Sequence, residues 1–153
     1  MTDKQVVRRF EQIAGAGNAM AEEADRQAYA YDSAVLDSVV PAMVVRPETM
    51  EQPGQVVALC NENGLPLTVR GSGTNLSDGT IPSSTRSVVV VTNALARIIE
   101  INREDMYAVV EPGVITARFA AAAEDFRHAG LPVNAEALLL IEDDRRIAHG
   151  RYR

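Results

Sequence analysis

Apolar residues at Val6, Val7, Phe10, Ile13 and Ala14 recur at three- and four-residue steps, the spacing of one face of an amphipathic helix. Gly15 and Gly17 follow and end it. An Ala- and Glu-rich run over residues 21–31 reads as a second helical or irregular segment. Ala42-Met43-Val44-Val45, closed by Pro47, reads as a short buried strand. Pro53 suits the first turn of a helix, where its missing N–H costs nothing. Val56, Val57, Leu59 and Cys60 supply that helix with an apolar face, and Asn63-Gly64 with a stop. Leu65-Pro66-Leu67-Thr68-Val69 is the next strand, and Val88-Val89-Val90-Val91 is apolar on both faces, as the centre of a sheet requires. Residues 98–101 and 107–110 flank Asn102-Arg103-Glu104-Asp105 and predict a hairpin. Thr116 can cap a helix reaching about His128 with Gly130 as its stop, and Ala137-Leu138-Leu139-Leu140-Ile141 is a last strand. This order predicts an α+β fold: a mixed sheet, or sheets, flanked by helices.

Composition narrows the class. A chain of 153 residues suits one domain with or without an appendage. With 46% hydrophobic and 24% charged residues it is globular in composition, and no apolar run approaches the length of a membrane span. Residues 1–5 are polar and lack the apolar stretch of a secretory signal. The single cysteine, Cys60, permits no internal disulfide and no cysteine zinc site, so a cytoplasmic location is the expectation. On the apolar side of its helix, that thiol reads as buried and inert. The net charge of −6 lacks the basic stripe that holds nucleic acid, and the absence of Trp removes a base-stacking platform. Any phosphate must therefore be held locally, by backbone amides.

One segment offers such amides. The strand ending at Val69 runs into Arg70-Gly71-Ser72-Gly73-Thr74-Asn75-Leu76-Ser77-Asp78-Gly79. Two glycines one residue apart allow a sharp turn that brings successive N–H groups to one side, with Ser72, Thr74 and Ser77 as further donors. It is not a Walker loop, because Gly-Lys-Ser/Thr is absent, nor a Rossmann fingerprint, because the third glycine and its helix are absent. Glycine spacing alone leaves a tight surface turn and a phosphate nest level.

A series of segments changes that balance. Tyr31-Asp32, Val45-Arg46-Pro47-Glu48-Thr49, the strand and loop from Leu65 through Ser77, Arg97-Ile98-Ile99-Glu100-Ile101 and Val110-Glu111-Pro112-Gly113-Val114 occur in that order. Together they resemble the FAD-binding domain of the vanillyl-alcohol oxidase/PCMH superfamily, most closely the flavin subunit of glycolate oxidase and its D-lactate dehydrogenase relatives. The resemblance implies FAD as cofactor and a PCMH-type FAD-binding domain, incomplete in this chain. It places the FAD diphosphate on Val69, Arg70, Gly71, Ser72, Gly73, Thr74, Asn75 and Ser77, with Pro112, Gly113 and Val114 beside the cofactor. Members of the family oxidise 2-hydroxy acids by hydride transfer to the flavin.

The chain also departs from the pattern. Where the family continues Leu-Ser-Gly-Gly, this chain has Leu76-Ser77-Asp78-Gly79. A carboxylate within about 4 Å of a phosphate is repelled by roughly 4 kcal/mol at an effective dielectric of about 20, unless Asp78 turns to solvent. After Phe119 the second Gly-Gly segment of the family is missing, and the next block resembles a helix-strand piece of the substrate-side domain. The expected organisation is an N-terminal helical segment over 1–30, a partial FAD-binding domain over 31–122, that substrate-side piece over 123–142 and a frayed tail over 143–153, as an internal deletion would leave. No catalytic residue and no metal ligand is assigned. His128 and His149 lack a nearby orienting acid and read as surface residues. Glu100 and Glu111 lie on separate strands and form no acid/base pair. The expected function is an FAD-binding module that binds more than it turns over; the alternative is a non-catalytic remnant or subunit-interaction fragment without flavin. Expected partners are FAD and other subunits of a glycolate-oxidase-like complex, or self-association through the 137–141 strand; nucleic acid and a membrane span are not expected.

Overall fold

The computed structural model describes residues 4–33, 38–76, 78–102 and 104–124, together with the backbone of residues 139–140, 142–143 and 146–147. The chain divides into two compact units, residues 1–94 and 95–153.

The first unit is built on a four-stranded mixed sheet. In chain order its elements are α1 (Lys4–Ala14), β1 (Ala19–Met20), α2 (Glu23–Gln27), β2 (Met43–Val45), α3 (Gln52–Glu62), β3 (Leu67–Arg70) and β4 (Val88–Val91). The strand order is β1-β2-β4-β3, with β1 antiparallel to β2 and β2, β4 and β3 mutually parallel. Parallel neighbours require a crossover, and α3 supplies it between β2 and β3. β4 is central, as four consecutive valines anticipate, and all four are buried.

The sheet's two faces divide the core by the two-residue alternation of its strands. Met43, Val45, Val88 and Val90 pack against Phe10 and Ala14 of α1 and Val56, Leu59 and Cys60 of α3. Val44, Val89 and Val91 point the other way, where Met20 and Tyr29 cover them. The N-terminal helix thus shares the core of the sheet. Val57 does not join that core; it is largely exposed, because it lies one residue round the helix from Val56. Gln52 fastens the start of α3, its amide oxygen accepting from the N–H groups of Glu48 and Thr49 and its amide nitrogen donating to Ile13 O. Asn63 and Gly64, the latter at φ +58°, end the helix as read from the sequence. Of the 21–31 run, only α2 is helical; β1 is too short for a periodicity to announce it.

In the second unit β5 (Ile98–Asn102) and β6 (Tyr107–Val110) form the expected antiparallel hairpin, with an irregularity between Ile98 and Glu100. Asn102 accepts the Asp105 N–H at the turn. α4 (Thr116–Glu124) follows, and β7 (Leu139–Leu140) pairs parallel to β6. The remainder of the 137–141 strand, His128, Gly130 and His149 lie outside the described residues. In the tail, β8 (Glu142–Asp143) pairs antiparallel with β9 (Arg146–Ile147). Glu111 is buried and accepts from the Arg97 N–H at 2.7 Å and from Arg97 Nε at 2.7 Å. Glu100 instead accepts from the Tyr107 hydroxyl, so the two carboxylates form no pair.

Candidate cofactor-binding site

β3 ends on Arg70, and the chain leaves the sheet into the glycine-rich loop. The end of β3 is tethered to the end of β4, since the Arg70 carbonyl accepts from Thr92 N at 2.9 Å. The Arg70 side chain turns inward and is buried. Its guanidinium lies over the Tyr29 ring, 5.6 Å from the centroid, and donates through Nη1 to the Tyr31 carbonyl.

Gly73 sits against that guanidinium at φ +73°. A β-carbon there would overlap Arg70 Nη2 and Cζ and lie 2.8 Å from Nε, so only glycine fits both the backbone angle and the space. The Gly73 carbonyl accepts from both the N–H and the hydroxyl of Ser33, each at 3.2 Å. Farther along, Asn75 donates to buried Asp32 at 2.7 Å, and the Thr80 hydroxyl shares its one proton between Asn75 Oδ1 at 2.9 Å and Asp32 Oδ2 at 3.2 Å. The loop is therefore pinned at Arg70, Gly73 and Asn75 by side chains of the 29–33 segment and Thr80.

What the loop leaves open is its own donors. Among the described residues, none accepts a hydrogen bond from the backbone N–H of Gly71, Ser72, Gly73, Thr74, Asn75 or Leu76. Ser72 and Thr74 are exposed, Gly71 and Asn75 half-buried, and Val69 faces outward from β3 with 55% of its surface exposed. Ser77 lies outside the described residues. Six successive amides without acceptors among the described residues, on a loop tied down from the 29–33 segment and Thr80, are open to water or to an anion.

Pro112, Gly113 and Val114 belong to the second unit. The Gly113 N–H donates to Leu95 O and the Val114 N–H to Glu111 O, making the turn ahead of α4. Their place beside a flavin stands on the family resemblance.

Asp78 behaves otherwise than a solvent-seeking carboxylate. It adopts φ +55°, the left-handed region that glycine prefers. Its Oδ1 is buried and has no hydrogen-bond partner among the described residues. That oxygen does not escape to water, so departure from the family pattern at this position costs both backbone strain and desolvation.

Asp32 and Asn75 belong to the segments that carry the resemblance, but their contact, the Thr80 bonds and the Ser33 clamp have no local pattern, because the partners stand 40 to 48 residues apart except for Asn75 and Thr80. Among the described residues no group of three or more His, Cys, Asp and Glu side chains is placed to hold a metal ion. Nor is any described helix long and apolar enough to cross a membrane.

Residues 41–135, more than half of the chain, match the FAD binding domain family. The chain belongs to that family, within the vanillyl-alcohol oxidase/PCMH superfamily of flavoprotein oxidoreductases. Among relatives, it is 33% identical over 124 residues to the glycolate oxidase subunit GlcD of Bacillus subtilis, covering 81% of this chain and 26% of that one. It is 29% identical over 125 residues to D-2-hydroxyglutarate dehydrogenase of Stutzerimonas stutzeri, covering 82% and 27%. Among solved structures, p-cresol methylhydroxylase with substrate bound superposes with a TM-score of 0.70 at 25% identity, over 80% of this chain and 24% of that one. The 4-ethylphenol oxidase of Gulosibacter chungangensis superposes with a TM-score of 0.72 at 28% identity, with the same coverage. The chain spans about a quarter of the length of the curated relatives it matches.

Proposed function

We propose that the loop over residues 70–77 holds the diphosphate of FAD on its backbone amides, and that the chain is the cofactor-binding module of an oxidoreductase acting on 2-hydroxy acids. The observation that carries this reading is the row of six N–H groups, residues 71–76, that no described residue accepts from. Ser72 and Thr74 hydroxyls are placed on the same loop to add donors. The substrate class rests on the glycolate oxidase and hydroxyglutarate dehydrogenase relatives.

FAD supplies the hydride-accepting ring when bound. This chain's residues contribute binding: the loop fixes the diphosphate, Arg70 and Ser33 fix the loop, and the Asp32–Asn75–Thr80 network holds its far side. No residue here is assigned to the substrate or its protons. On this reading the chain binds more than it turns over, and turnover draws on other subunits of a glycolate-oxidase-like complex, in line with the glycolate oxidase relatives being named subunits. The strand around Leu139–Leu140 is a second route to association, with another copy of this chain.

The Asp78 Oδ1, buried and unpartnered among the described residues, favours the competing reading, a remnant that keeps the fold and binds no flavin. Colour separates the two. Purified full-length chain that absorbs near ~450 nm, or gains about 2.7 kcal/mol of stability with FAD at about 100 times its dissociation constant, supports the binding module. Colourless protein with no thermal gain from FAD refutes it. A gain from ADP as large as that from FAD would reassign the loop to a general nucleotide diphosphate site.

A further inference from the structure

Three arginines of the described structure pair with carboxylates, and all three keep much of their side chain in water. Arg9, Arg46 and Arg97 each stand within 4.0 Å of a carboxylate oxygen, and their side chains are 48%, 42% and 74% exposed. Arg70, with only 8% of its surface exposed, faces no carboxylate within that distance among the described residues. Asp32, the acid next to Tyr31 in the chain, directs its Oδ2 at the neutral donors of Asn75 and Thr80. A guanidinium taken out of water is ordinarily matched by an anion, because desolvating an unmatched charge is expensive. Here the ring of Tyr29 and the carbonyl of Tyr31 meet part of that need, and no carboxylate among the described residues makes an ion pair with the guanidinium.

We propose that the missing anion is the ligand's diphosphate, and that Arg70 is a positioning residue and fixed counter-charge lying behind the amides of the loop. The inference rests on the diphosphate reading of that loop. Gly73 is the link, because it packs directly on the guanidinium while belonging to the row of open amides. The segment 71–76 contains no Lys or Arg, so within the loop the positive field comes from Arg70 and the peptide dipoles. The role is charge without reach: the side chain is held inward by Tyr29 and Tyr31 and acts on the anion through the loop it supports.

The test uses the full chain titrated with FAD, ADP and uncharged riboflavin from about 0.01 M to about 1 M salt, over which the screening length falls from about 30 Å to about 3 Å. Arg70→Gln removes the charge and Arg70→Lys keeps it. Wild type is expected to bind FAD and ADP more tightly at low salt. Arg70→Gln should weaken both by about ten-fold or more, the scale of one charge-assisted contact, and flatten the salt dependence while leaving riboflavin affinity unchanged. Arg70→Lys should restore the salt dependence. Equal weakening of all three ligands by Arg70→Gln, with the salt dependence intact, would assign Arg70 a structural role only and overturn the inference. If Arg70→Gln does not fold, wild type decides: FAD affinity that is flat across the salt range overturns it. Absence of any FAD or ADP binding by wild type is a different result, which removes the diphosphate reading and this inference together.

Discussion

Replacing Gly73 by alanine asks whether the loop and Arg70 form one mechanical unit. Two costs can be worked from the geometry. An alanine at φ +73° carries left-handed strain of about 1–2 kcal/mol. Its β-carbon would overlap Nη2 and Cζ of Arg70, and the guanidinium has no slack, being held between the Tyr29 ring and the Tyr31 carbonyl. Expelling it forfeits a charged hydrogen bond of about 1.5–3 kcal/mol and a cation–π contact of roughly 0.5–2 kcal/mol. With partial relaxation, Gly73→Ala should destabilise the first unit by roughly 3–5 kcal/mol, read by urea unfolding followed by circular dichroism. For a unit of this size that is a fall in Tm of at least about 12 °C. A double-mutant cycle with Arg70→Ala separates the two costs: with the guanidinium gone, Gly73→Ala should cost only the backbone strain. A cost below about 1 kcal/mol in wild type, or the same cost in both backgrounds, would refute the packing argument.

Three further outcomes follow from the same geometry. Asp78→Gly relieves a positive φ and removes a buried, unpartnered carboxylate oxygen; after the entropy of the added glycine it should stabilise by about 1 kcal/mol and tighten FAD binding, and a loss of stability in urea would refute this. Burial pushes the Glu111 carboxyl up, but the side-chain and backbone hydrogen bonds and the charge of Arg97 outweigh it and hold the group below its ordinary 4.5. A carboxyl lowered by folding contributes stability above pH 4.5 that is lost as the pH falls through its folded value, so Glu111→Gln should flatten acid unfolding of the second unit below about pH 4.5, and an unchanged acid limb would count against it. Burial pushes the Cys60 thiol up to about 11, and it is 1% exposed, so at about pH 8 a thiol reagent should label it only after unfolding; rapid labelling of the native chain would contradict the buried position.

The elements that could be read along the chain are those whose signal is local. Phe10 and Ala14 repeat at helical spacing and are buried; Val88 through Val91 are apolar on both sides and form the centre of the sheet. Residues 98–110 carry two strands about a polar turn and fold as the hairpin. Where the signal is not local, it fails. Val57 looks like a core residue beside Val56, yet helix geometry turns it to solvent. β1 is two residues long and is defined by Ala19 and Met20 pairing with Val45 and Val44, which no pattern in its own sequence can announce. The glycine spacing of the loop was visible, but what fixes the loop was not: Ser33 and Asp32 act across 40 to 48 residues of chain, and the inward turn of Arg70 depends on Tyr29 being packed on the second face of the sheet.

That dependence bears on how so short a loop could serve a cofactor, as proposed above. A glycine-rich turn held only by its own backbone bonds would spend its amides on itself, and a free one would have to be ordered when the ligand arrives, at about 1–2 kcal/mol per residue fixed. Here the fixing is done by side chains from outside the loop, so the amides of residues 71–76 stay open while the backbone is already shaped. If the loop holds a diphosphate as proposed, the same arrangement makes affinity a contest between two charges. Among the described residues, Arg70 stands at the entry to the loop, buried and without a carboxylate partner, and Asp78 stands beyond its end, with one oxygen buried and without a donor. An incoming diphosphate is drawn by the first and opposed by the second. On this account the Asp78→Gly and Arg70→Gln changes should move FAD affinity in opposite directions, and both effects should shrink as salt screens them. If both variants weakened binding, the loop would be acting through its shape alone.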